Sequence, residues 1–227
     1  MSNRKAGLPA CRQAIVLLSG GLDSATTLYL ARKQGYCCYC LIFDYGQRHR
    51  KEIEQAKKIA QRANCKWQIV KIDFPWKGSS LLDKKIKIPG RYLKDSIPST
   101  YVPARNIIFL SFALSYAEAI GSGAIFIGAH VQDYSGYPDC RPEFFRAFEK
   151  VISCGTKSGS EGRKIKIRTP LLSKKKAQII GLGSRLGVPF ELTWSCYNSG
   201  VKPCGKCDSC RFRAKGFTQA KLKDPLK

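Results

Sequence analysis

Acidic side chains are scarce in this chain: 16 Asp and Glu stand against 40 Lys and Arg, for a formal net charge of +24. So positive a field favours polyanions, ATP and nucleic acid included. An arginine-rich arm is missing, however, and the basic residues are spread through 84–94, 163–168, 174–176 and 202–227. Dispersal of that kind reads as a solvated basic surface and not as a nucleic-acid footprint. Long apolar runs are missing as well. The most membrane-like stretch, 107–129, is divided by Glu118 and broken at Gly121-Ser122-Gly123, short of the roughly 20 residues of a span. After Arg12 the apolar run stops at Leu18, too soon for a secretory signal. Neither internal repeats nor low-complexity tracts occur. The Gly-x-x-x-x-Gly-Lys-[Ser/Thr] pattern is absent, which excludes a P-loop lysine.

Cysteine is not lacking: there are eleven. The count is odd, Cys11 and Cys65 show no partner pattern, and Cys37, Cys38 and Cys40 fall in an expected buried strand, where cysteine acts as a small hydrophobe. We therefore expect a reduced, cytoplasmic chain with one metal cluster and no disulfide framework. That cluster is Cys196, Cys204, Cys207 and Cys210, spaced Cys-x7-Cys-x2-Cys-x2-Cys. Two-residue spacers turn neighbouring thiolates onto one ion, and Gly205 eases the turn. Four thiolates with no open position point to one structural Zn²⁺ per chain; an iron–sulfur cluster takes the same ligand set.

The run Ala14–Leu18 is followed by Ser19-Gly20-Gly21-Leu22-Asp23-Ser24 and then a helical pattern to Lys33. Adjacent glycines permit positive φ and close approach of a ligand. The helix start offers free N–H groups and the positive end of the dipole. Strand, glycine turn and helix together make an anion cradle for nucleotide phosphates. Asp23 would repel those phosphates unless it caps N–H groups or acts through Mg²⁺.

Alternating elements continue along the chain. Strands are expected at 37–43, 67–72 and 124–129, and helices at 50–63, 105–120, 142–153 and 174–186. This order implies an α/β fold, a doubly wound and mostly parallel Rossmann-like sheet. The glycine turn then lies at the carboxyl ends of the strands, where such sheets bind ligands. Residues 1–190 form the nucleotide-binding and catalytic domain, and 191–227 a small zinc module too poor in apolar residues to fold alone. The proline-rich stretch 74–103 is long for a loop and reads as a flap or a partner-contacting segment. The tail 221–227 is expected to fray.

Three polar strings border these elements: Asp44–His49, Thr100–Asn106 and Asp133–Phe144. Each flanks a strand end or helix start, so all three can meet at the glycine turn. The Ser-Gly-Gly-x-Asp-Ser loop resembles that of ATP-pyrophosphatases, which cleave ATP between the α and β phosphates. With the three strings, Thr169-Pro170-Leu171, Lys176 and the cysteine quartet after Trp194-Ser195, the chain from Ser19 to about Phe217 resembles the 7-cyano-7-deazaguanine synthase family of queuosine biosynthesis. It departs from that pattern at His130, where the family implies Asn.

The resemblance implies a ligase that converts 7-carboxy-7-deazaguanine and ammonia to the nitrile with ATP, through an adenylated carboxylate and an amide. It implies ATP contacts from Ser19 to Ser24 and catalytic roles for Asp23, Arg105 and Lys176. Tyr45, Gln47, Tyr101, Asn106, Asp133, Tyr134, Tyr137 and Asp139 would hold the substrate. Asp133 and Asp139 would take the deazaguanine N–H groups, and Tyr134 or Tyr137 would stack on its ring. Mg²⁺ is expected with ATP. With two histidines and no glutaminase segment, free ammonia is the expected nitrogen donor. No specific nucleic acid and no membrane are expected as partners, and a homodimer is admitted. Two other readings compete: a tRNA-thiolating ATP-pyrophosphatase, with Cys140 or Cys154 as sulfur carrier, and a non-enzymatic zinc module that binds nucleic acid.

Overall fold

The computed structural model describes residues 11–48, 50–88, 97–130, 137–198 and 200–227. Asp133, Tyr134 and His49 lie outside them. Five strands and seven helices are present among the described residues. The strands are β1 (Arg12–Leu17), β2 (Tyr36–Asp44), β3 (Lys66–Lys71), β4 (Ala124–Phe126) and β5 (Lys166–Arg168). The helices are α1 (Leu22–Lys33), α2 (Lys51–Arg62), α3 (Arg105–Ile120), α4 (Pro142–Gly155), α5 (Lys157–Ser160), α6 (Lys176–Arg185) and α7 (Asp208–Gln219). All pairings are parallel and the order is β3-β2-β1-β4-β5, so the chain reverses its winding direction beside β1.

The alternation of β1 shows why helices must cover both faces. Ala14, Val16 and Leu18 point into a cluster with α1, α2, α6 and Phe217 of α7. Ile15 and Leu17 point into a second cluster with α3 and α4. Each fully buried Ile or Leu contributes about 1.5–3 kcal/mol of transfer free energy. A strand apolar on both faces is thus stable only between two helical layers.

Two expectations need correction, and two further features were not foreseen. Cys37 is exposed and disulfide-bonded to Cys11, with Cα atoms 5.7 Å apart. The β1–β2 register sets Arg12 opposite Tyr36 and brings the two cysteines together, which no sequence spacing announces. The tail is not loose: Asp224 is buried and bonded to Arg213 of α7. The long 74–103 segment is anchored over its described parts. Phe74, Leu81 and Val102 enter the core, Ser80 N–H donates to Ser99 O (2.7 Å), and Arg48 Nη2 donates to Asp83 O (2.6 Å). Finally, β5 and α7 were not foreseen. One is three residues long, and the other begins inside the cysteine knuckles and carries Gly216 in its middle.

Candidate active site and metal centre

The turn after β1 is shaped by what lies behind it. Gly20 has φ +82°, and a Cβ there would sit 2.1 Å from the Glu52 carbonyl of α2. Gly128, beyond β4, closes on the turn from the other side, where a Cβ would come within 3.0 Å of Ser24 N. Ser19 and Ser24 lock the turn across its mouth, Oγ to Oγ at 3.0 Å, and Ser24 Oγ also donates to Gly21 O (3.1 Å). Trp194 N–H donates to Gly20 O at 2.9 Å and ties the C-terminal segment to the loop.

A cleft of about 250 Å³ opens over this turn. Ser19, Gly21, Asp23 and Ser24 line it; Gly20 and Leu22 do not, and the Leu22 side chain is in the core. Arg105, Asn106, Tyr45, Tyr137, Glu52 and Cys140 line the cleft as well. Loops that follow β1, β2 and β4 therefore converge with the start of α3. Ala104, left-handed at φ 54°, caps α3 and directs Arg105 into the cleft; a non-glycine residue held there costs about 1–2 kcal/mol. Arg105 Nη1 donates to Tyr45 Oη at 3.4 Å. Burial pushes the Tyr45 hydroxyl up to about 12, against the pull of Arg105.

Two expected substrate residues, Gln47 and Asp139, are bonded into the frame and are not among the residues that line the cleft. Gln47 is buried: its Oε1 accepts from Tyr45 N–H (2.9 Å), while Nε2 donates to Phe43 O and Glu52 Oε1 (3.1 Å each). Asp139 Oδ2 accepts the backbone N–H of Asn106 (3.0 Å), at the dipole-positive start of α3. Asn106 Nδ2 in turn donates to Asp139 O and Cys140 Sγ. Tyr101 Oη accepts from Ala104 N–H, and its ring stacks near Tyr137, with centroids 6.1 Å apart.

Asp23 finds a partner that its motif did not reveal. Lys176, the first residue of α6, donates to both carboxylate oxygens at 2.9 and 2.8 Å. Burial alone would raise the Asp23 carboxyl, but the Lys176 ammonium on both its oxygens outweighs burial and holds it well below the usual carboxylate range. The charge that would repel phosphates is thus neutralised within the protein. His130 is buried at 3% exposure, with Nε2 2.9 Å from Lys176 Nζ and 3.5 Å from Asp23 Oδ2. The sequence marked His130 only as a departure from a pattern; a buried imidazole after a strand end was the available signal.

The four cysteine sulfurs lie within 4.8 Å of one another. A tetrahedral ion with metal–sulfur bonds of about 2.3 Å needs sulfurs roughly 3.8 Å apart. Backbone N–H groups of Asn198 and Cys204 point at Cys196 Sγ, and those of Lys206 and Cys207 at Cys204 Sγ, each at 3.4 Å. Such donors favour thiolates, so the donor set fits a metal ion. Cys207 caps α7 and Cys210 lies in its first turn, which links the centre to the helix beneath Lys176.

Comparison with known proteins agrees with this geometry. The family model described as "Queuosine biosynthesis protein QueC" matches residues 13–221. A 7-cyano-7-deazaguanine synthase of Trichormus variabilis is 53% identical over 220 residues, covering 94% of this chain and 97% of that one. One from Thermoplasma volcanium is 51% identical over 219 residues, covering 95% and 90%. Among solved structures, an NMN synthetase from Francisella tularensis aligns with TM-score 0.51 at 17% identity, covering 95% of this chain and 79% of that one. A 4-thiouridine synthetase solved with RNA and bound ATP gives 0.51 at 19% identity, covering 92% and 50%. At such identities these two show the fold alone. With its match along almost its whole length and its relatives at about half identity, the chain belongs to the queuosine biosynthesis protein QueC family.

Proposed function

We propose that this chain carries out the reaction its relatives are named for, forming 7-cyano-7-deazaguanine from 7-carboxy-7-deazaguanine, ammonia and ATP. The observation that carries this reading is one cleft shared by the Ser19–Ser24 turn and the Tyr45, Arg105 and Tyr137 side. It puts a phosphate cradle against aromatic faces and a guanidinium.

The chemistry follows from what a carboxylate lacks. It is anionic and holds no good leaving group, so its oxygen must first attack the α phosphorus of ATP, releasing pyrophosphate. Ammonia then adds to the acyl carbon, AMP departs and a primary amide remains. Attack of the amide oxygen on a second ATP, followed by loss of AMP and protons from nitrogen, leaves the nitrile. The turn's N–H groups and the α1 dipole hold phosphate oxygens. Lys176 and Arg105 face the charge that develops on phosphate and oxyanion, the largest contribution in reactions of this type. Tyr45 and Tyr137 flank the ring, with Asp133 and Tyr134 in the string that follows β4. Mg²⁺ accompanies the ATP phosphates. Zn²⁺ held by Cys196, Cys204, Cys207 and Cys210 is structural, since four thiolates leave no open position.

A cytoplasmic location suits a chain in which nine cysteines lie outside the Cys11–Cys37 disulfide. No helix among the described residues is long and apolar enough to cross a membrane. A homodimer is supported by α3. Its outer face carries Ile107 and Phe112, 43% and 44% exposed, and no charge occurs from Asn106 to Ala117. A solvated helix normally shows a polar outer face. Phe112→Asp should convert a dimer to monomer in light scattering; a wild-type monomer would refute the dimer.

The test of the reaction is mass spectrometry of the products after incubation with ATP, ammonia and 7-carboxy-7-deazaguanine. The nitrile together with AMP is expected. AMP without amide or nitrile, or no ATP turnover, would overturn the assignment.

A further inference from the structure

We propose that His130 is a positioning residue for Lys176: its neutral imidazole accepts a hydrogen bond from the ammonium and holds it against Asp23, and the reaction slows when His130 is protonated.

The argument starts from donor accounting. An ammonium has three N–H donors and no acceptor. Two are directed at Asp23, Oδ1 at 2.9 Å and Oδ2 at 2.8 Å. The third lies toward His130 Nε2, also at 2.9 Å. Two nitrogens so close need one lone pair between them, and the ammonium has none to give. His130 Nε2 must therefore be bare, with the ring proton on Nδ1. Lysine is the stronger base by about four pKa units in its ordinary range, so it is the cation of the pair.

Asp23 from α1 and Lys176 from α6 both face the imidazole. A proton added at Nε2 would set two donors against each other. The new N–H would turn to Asp23 Oδ2, 3.5 Å away, and compete with Lys176 for that oxygen. The ring has little room to withdraw, since His130 is buried at 3% exposure. Lys176 would then be displaced from Asp23 beside the phosphate turn. Because His130 acts through Lys176, it is not itself a catalytic residue. The inference rests on the reading of Lys176 given above.

The test is the pH dependence of AMP formation at saturating ATP and carboxy-deazaguanine, with free ammonia held constant instead of total ammonium. Wild type should lose kcat on the acid side within the histidine range, about pH 5–8. In His130→Asn an amide oxygen can accept from Nζ without titrating. That variant should be slower by about threefold or less at pH 8 and should lack the acid limb. His130→Ala leaves the third ammonium proton without its acceptor. It should be slower by about tenfold or more at every pH, with the loss in kcat and not in KM for ATP.

A second readout does not use activity. The chain has two histidines, so ¹⁵N-histidine labelling gives two imidazoles, and His130→Asn identifies one by its disappearance. The Nδ1–H tautomer is expected for His130 at pH 8. An Nε2–H tautomer there, or a wild-type acid limb retained in His130→Asn, would overturn the proposal. Full activity in Lys176→Ala would instead remove the catalytic reading of Lys176 and leave the tautomer result unchanged, so the two failures are separable.

Discussion

Asp23 sits where phosphate is expected and carries a negative charge itself, and the pairing with Lys176 resolves that conflict. Ser19 is exposed at the mouth of the turn and bonded to Ser24. Ser19→Ala and Asp23→Ala should each abolish AMP formation while the folded state persists by circular dichroism. Wild-type rates in both variants would mean that ATP binds elsewhere. Tyr45 gives a stability test with a defined sign. Its folded-state value, raised to about 12, lies above the ordinary tyrosine value near 10. Its contribution is therefore complete below pH 10 and is lost as pH rises through 12. Relative to Tyr45→Phe, wild type should lose roughly 2–3 kcal/mol across that window in denaturant titrations; a constant difference would show that Tyr45 ionises freely. The turn motif, Tyr45, Arg105 and Tyr137 were legible in the sequence because their types and spacing are chemical statements. Gln47 and Asp139 read as substrate contacts because a polar residue in a motif looks the same whether it faces the ligand or braces the loop. Their hydrogen bonds run inward to Phe43, Tyr45 and Glu52 or onto the start of α3, a bracing that no spacing in the sequence announces.

At the scale of elements, α7 connects the four-cysteine cluster to α6, which begins at Lys176. Gly216 lies against α6, where a Cβ would approach Lys176 Cγ to 2.5 Å and Ile180 Cδ1 to 2.8 Å. Cys207→Ser should lose the zinc by elemental analysis and lower the melting temperature, since structural zinc contributes folding free energy directly. It should also slow AMP formation, because α7 no longer supports Lys176. Iron in place of zinc, or metal-free protein of unchanged stability, would refute the assignment. The second fastener is Arg213, which donates to Asp224, Thr193 and Phe190, with Arg213 and Asp224 both 5% exposed. Removing one member of a buried ion pair costs about 3–5 kcal/mol. Asp224→Ala should therefore lower the melting temperature by on the order of 10 °C by calorimetry. Replacing both residues with apolar ones should recover part of the loss. The alternating strands and helices around β1 were readable from apolar runs. This C-terminal assembly was not, because a cysteine knuckle, a mid-helix glycine and an ion pair formed across eleven positions leave no period to read.

At the scale of the molecule, the charge of +24 exceeds what one ATP site requires. Its placement decides what it does. One basic cleft lies between α4 and β5, about 420 Å³, and holds Arg146, Lys150, Arg163, Lys164 and Lys166. Arg163 is paired with Glu161 and Lys166 with Glu149, and no aromatic ring lines that cleft. Recognition of unpaired bases needs stacking surfaces beside the cations. Phosphate contacts alone bring affinity without sequence preference, and that affinity falls with salt through counterion release. Binding of tRNA should therefore be weak, equal for unrelated tRNAs, and lower by about tenfold or more between roughly 50 and 200 mM salt. Conversion of 7-carboxy-7-deazaguanine should proceed at the same rate with tRNA absent, as expected for a small molecule made free in solution. Filter binding at two salt concentrations and product analysis with and without tRNA check both statements. A salt-resistant complex selective for one tRNA, or ATP cleavage that requires tRNA, would put the tRNA-modifying reading in place of the small-molecule one.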